Sequence, residues 1–60
     1  MNLPADNYIL LSVLNTALRD GGGTLEELCT EKGWDMAEIT ARMSAIGYEY
    51  SAELNRFCGK

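Results

Sequence analysis

Glycine punctuation constrains this chain more than any other feature. Gly21-Gly22-Gly23, Gly33 and Gly47 divide the sequence into three segments, each with helical apolar spacing, followed by a short tail. Consecutive glycines disfavour regular continuation, and a single glycine before an apolar residue suits a left-handed helix stop. In the first segment Asp6 is a good N-cap for a helix over Asn7 to Arg19. At about 100° per residue, Ile9, Leu10, Leu11, Val13, Leu14, Ala17 and Leu18 fill an apolar arc of roughly 200°. Tyr8, Ser12, Asn15, Thr16 and Arg19 form the complementary polar strip. Asp20 and the glycine run end this helix.

The second and third segments carry their own start signals. Thr24 followed by Glu27 has capping-box spacing and opens a short helix of about Leu25 to Lys32, with Leu25, Leu28 and Cys29 inward. Gly33 fits the left-handed stop, and Trp34 folds back onto Leu28 and Cys29. Asp35 opens the third helix, with Glu38 at the matching capping position. Met36, Ile39, Met43 and Ile46 form its apolar stripe, and Glu38 to Arg42 is a favourable ion-pair spacing. Gly47 repeats the stop. Beyond it Tyr48-Glu49-Tyr50 alternates as a strand does, Ser51 to Asn55 is turn-like, and Arg56-Phe57-Cys58 reads as a returning strand. A terminal helical turn capped by Ser51, burying Leu54 and Phe57, fits the same residues.

These elements predict a mainly α fold: a three-helix, helix-turn-helix-like domain with a short C-terminal β-hairpin or turn. Leu28, Gly33, Trp34, Ile39 and Met43 have helix-turn-helix spacing, with Cys29 as the small residue that permits close helix approach. Lys32 occupies a position that is usually apolar in that motif. The length of 60 residues allows one domain over 1–60, and such a chain buries only about 60% of the surface exposed when unfolded. Its expected core is Leu10, Val13, Leu14, Ala17, Leu28, Cys29, Trp34, Ile39, Met43 and Ile46.

Several short runs along nearly the whole length resemble a known family. They are Met1-Asn2-Leu3-Pro4, Leu10-Leu11-Ser12 with Asn15, Leu18-Arg19-Asp20, Leu25, Glu27-Leu28-Cys29, Ser44-Ala45-Ile46-Gly47-Tyr48-Glu49-Tyr50, Asn55 and Phe57. Together they resemble a family of very short bacterial proteins classed as a domain of unknown function. Asn7 replaces the family's usual proline, and Gly21-Gly22-Gly23 replaces its aromatic and serine stretch. The resemblance implies a small bacterial protein and brings no activity, cofactor or site residue with it.

Catalysis has little to work with. The sequence has no histidine, so Cys29 and Cys58 lack the usual activating base. Glu26, Glu27 and Glu31 read as caps and solvated charge on an exposed helix face. The glycine run follows a helix and has no neighbouring lysine, unlike a phosphate-binding loop. No cofactor is expected, and no metal: two cysteines fall short of four zinc ligands unless two chains share the ion. Cys29 reads as a buried thiol and Cys58 as a free one near the terminus, with a single disulfide as the alternative. No basic leader or membrane-length apolar run is present in the sequence, which leads to the expectation of a cytoplasmic protein with no membrane partner.

Two binding readings remain. As a winged helix-turn-helix regulator, the chain would use Arg42, Arg56 and Lys60 on nucleic acid. The outward face of the third helix offers Ala37, Glu38, Ala41, Arg42 and Ala45, only one of them basic. Specific DNA binders commonly neutralise about 6–10 phosphates, whereas this chain has five Lys+Arg against nine Asp+Glu and a net charge of −4. The favoured reading is therefore a non-enzymatic protein-interaction or adaptor module, with another protein or a second copy as partner. Its expected contact face is Tyr8, Ser12, Asn15, Thr16 and Tyr50, supported by the flat Ala37, Ala41 and Ala45 strip. Trp34, Tyr48 and Phe57 add aromatic area of the kind that anchors interfaces.

Overall fold

A computed structural model describes residues 3–21 and 23–59. Met1, Asn2, Gly22 and Lys60 lie outside the described residues, and with them the opening of the M-N-L-P run, the middle of the glycine run and the Lys60 assignment. Three helices and one hairpin follow in order: α1 (Asn7–Gly21), α2 (Leu25–Lys32), α3 (Met36–Ala45), β1 (Tyr48–Ser51) and β2 (Arg56–Gly59). The mainly α fold with a C-terminal hairpin is the expected one. The tail is the hairpin and not the helical turn.

Local chemistry explains each boundary. Asp6 Oδ1 accepts from the backbone N–H groups of Tyr8 (2.8 Å) and Ile9 (3.2 Å), satisfying donors that the first turn leaves orphaned. The helix continues two residues past Arg19, taking in Asp20 and Gly21. At α2 the capping box is complete: Thr24 Oγ1 accepts from Glu27 N and the Glu27 carboxylate accepts from Thr24 N, both at 3.3 Å. Gly33 sits at φ 72°, and Trp34 N donates to Cys29 O (2.9 Å), closing the helix end. Asp35 caps α3 through Ala37 N (2.9 Å), and Gly47 reverses the chain at φ 79°.

The core joins the three helices and β2, with Tyr48 and Tyr50 of β1 packed against it. Leu10, Leu14 and Leu18 from α1 meet Leu25, Leu28 and Cys29, then Trp34, then Ile39 and Met43, with Phe57 of β2 completing it. Three expected core members, Val13, Ala17 and Ile46, are instead half-buried at its margin, while Leu18, Leu25 and Phe57 are buried. The physical reason is coverage. An eight-residue helix, a ten-residue helix and a hairpin reach one row of α1 at four-residue spacing and its flanks, so Ile9 is 56% exposed and the apolar arc is narrower than expected. Met36, assigned to the α3 stripe, is also exposed, since it sits in the first turn beyond the packed region.

The hairpin pairs antiparallel with Tyr48 opposite Gly59 and Tyr50 opposite Phe57. The Tyr50 and Phe57 rings lie 5.6 Å apart and tilted, a favourable cross-strand aromatic pair. Four residues, 52–55, make the connection, and Asn55 ends it at φ 53°, a left-handed conformation that asparagine tolerates better than most side chains. Both cysteines are free thiols.

Candidate functional site

Where α1 passes the hairpin connection, an open groove of about 680 Å³ forms. Leu11 and Leu18 contribute from the helix, Tyr8 and Arg19 stand toward its two ends, and Leu54, Asn55 and Arg56 face them from the hairpin. Tyr8 is 63% exposed and Leu54 58% exposed. Ser12 and Thr16, also exposed, line the same groove. Four members of the expected contact face, Tyr8, Ser12, Asn15 and Thr16, thus line one groove.

Asn15 and the fifth member, Tyr50, are also engaged internally. Asn15 borders the groove, but its carboxamide accepts from Phe57 N (2.8 Å) and donates to Phe57 O (3.3 Å). It occupies the free edge of β2 as a neighbouring strand's peptide would. Tyr50 lies away from the groove. Its hydroxyl accepts from Leu25 N (3.4 Å) and donates to Asn55 Oδ1, while Asn55 Nδ2 donates to Gly23 O (2.8 Å). Asn15 and Tyr50 therefore fasten the helices to the hairpin, and of the two only Asn15 also lines the groove. Trp34 and Phe57, expected to add interface area, are core residues because so small a domain needs its largest apolar side chains inside.

The cations proposed for nucleic acid separate in the same way. Arg42 Nε donates to Asn7 Oδ1 (2.6 Å) and Nη2 donates to Pro4 O. With Glu38 at 3.9 Å and its side chain only 20% exposed, Arg42 ties α3 to the start of α1. Its guanidinium is thus held by contacts within the fold. Arg56 remains exposed. Leu54, Arg56 and Arg19 were not on the expected contact face. The sequence signal for Leu54 is an aliphatic residue in a polar turn and for Arg19 its place on the polar strip of α1, while Arg56 is one of the cations named for nucleic acid.

Burial pushes the Cys29 thiol above its ordinary value of 9.0, and the Asp35 carboxylate adds to the shift. Both effects disfavour the thiolate, the form required for nucleophilic chemistry. Among the described residues, no group of three or more Cys, Asp or Glu side chains is placed to hold a metal ion. No described helix is long and apolar enough to cross a membrane.

No curated protein and no solved structure matches this chain. A family model does, from residue 4 to residue 57. The residues that fasten the fold together, Asn15, Tyr50, Asn55 and Phe57, are among those that carried the resemblance noted in the sequence, and all lie within the matched span. The chain belongs to the family described as Domain of unknown function (DUF4250).

Proposed function

We propose that this chain is a non-enzymatic protein-interaction module of the cytoplasm. The observation that carries the reading is the accessible α1–hairpin groove, bordered by two large exposed apolar side chains, Tyr8 and Leu54. Apolar area left open beside a thin core favours association, and aromatic residues are frequent anchors of interfaces. The suppressed thiolate of Cys29 and the lack of histidine support a role in binding over chemistry. The engagement of Arg42 with Pro4, Asn7 and Glu38 supports protein over nucleic acid as partner.

Photo-crosslinking from surface positions in the producing cells tests the reading. Benzoylphenylalanine placed singly at Tyr8, Glu31, Ala41 and Glu49 samples four exposed sites. Discrete protein adducts from at least one position are the expected result. Adducts only to nucleic acid, or no adduct from any position, would reject it.

A further inference from the structure

The charge of the groove runs against that of the chain. Nine acidic side chains outnumber five basic ones overall, yet the groove lining contains Arg19 and Arg56 and no Asp or Glu. The acidic excess is displayed elsewhere, as on the exposed face of α2 with Glu26, Glu27 and Glu31. Arg19 shares its charge with Asp20 at 3.2 Å, whereas Arg56 has no ion pair among the described residues. Arg56 is therefore the groove's uncommitted cation. It lies two residues beyond Leu54, the exposed apolar side chain of the same wall.

We propose that this groove receives a short acidic peptide segment of another protein, a hydrophobic residue flanked by Asp or Glu. The hydrophobic side chain rests against Leu11, Leu54 and Tyr8, and a carboxylate pairs with Arg56. The inference rests on the protein-interaction reading and specifies its partner. From Tyr8 to Arg19 is eleven steps of helix (19 − 8), about 16 Å at 1.5 Å per residue. An extended peptide at about 3.3 Å per residue fills that length with about five residues. An acidic segment is repelled by the acidic faces elsewhere on the chain, so the locally basic groove also selects its approach.

Selection from a phage library of random dodecapeptides on the immobilised full chain tests the proposal. The expected outcome is enrichment of sequences in which Leu, Ile or Phe is flanked by Asp or Glu. A synthetic copy of the enriched peptide should lose tenfold or more in affinity with either Leu54→Asp or Arg56→Glu. Glu31→Lys, on the α2 face, should leave affinity within twofold. Both groove substitutions are at exposed positions, and circular dichroism checks that each variant keeps the native spectrum. Enrichment of basic peptides, or binding indifferent to both groove variants, overturns the groove assignment while leaving a protein-interaction role intact. No enrichment at all overturns both. Random duplex DNA binding that Arg56→Glu abolishes replaces the peptide with nucleic acid. Self-association seen in sedimentation and lost with Leu54→Asp replaces it with a second copy.

Discussion

Asn15 satisfies both polar groups of one backbone position, the N–H and C=O of Phe57, across 42 residues of sequence. Removing its carboxamide leaves two part-buried backbone groups without their partner, a loss of about 1–3 kcal/mol on the usual scale for unsatisfied groups. Asn15→Ala is expected to lower the urea midpoint accordingly, and Asn15→Asp, which keeps only the acceptor, to fall between it and the parent. A midpoint unchanged in the alanine variant would show that the carboxamide does not hold the strand. Cys29 makes a different kind of prediction. Its thiol keeps its proton to higher pH in the folded chain than in the unfolded one, where the ordinary value is 9.0. Its contribution to stability is complete below that value. Above it the folded chain holds more protons than the unfolded, so the contribution is lost as pH rises through the folded-state value. Iodoacetamide at pH 8 should therefore modify half-buried Cys58 first and reach Cys29 only with denaturant. Equal labelling rates in native protein would contradict the burial of Cys29.

At the scale of elements, stops and starts are decided locally and were legible for that reason. The Thr24–Glu27 box spans four residues, and the Gly33 stop reaches back only to Cys29. Gly33 isolates the conformational cost of such a stop, because a Cβ built there meets nothing within 4 Å. Gly33→Ala should cost about 1–2 kcal/mol through its left-handed backbone alone, and Gly33→Asn should cost less. Equal penalties in thermal unfolding would mean that a lost contact, not φ, sets the effect. The tail is the opposite case. A hairpin and a helical turn both fit residues 51–58, and local propensity does not separate them. The choice is made by Asn15 on β2 and by the Tyr50–Asn55–Gly23 connection, which joins the hairpin to the loop before α2. The groove was half legible for the same reason. Helical periodicity placed Tyr8, Ser12 and Thr16 on one face, while Leu54 and Arg56 came to it only by docking of the hairpin.

The whole molecule has a Cα radius of gyration of 10.3 Å, matching the roughly 10.4 Å expected of a compact 60-residue domain. No described element is splayed away from the rest. Stability of about 0.05–0.15 kcal/mol per residue gives roughly 3–9 kcal/mol for a chain of this length. A fully buried leucine is a large part of that total. Leu14 is 0% exposed at the middle of α1, so Leu14→Ala should cost about 2–5 kcal/mol. That is enough to leave a substantial unfolded fraction at room temperature. Ile9 belongs to the same apolar arc in the sequence and loses as many atoms on truncation, but it is 56% exposed. Ile9→Ala should change stability by no more than about 0.5 kcal/mol, as exposed substitutions usually do. Urea unfolding of the two variants compares the helical arc drawn by periodicity with the narrower one that the other elements cover. A large penalty for both, growing with protein concentration for Ile9→Ala, would mean that a second copy covers the outer part of the arc. The folding unit would then be a dimer.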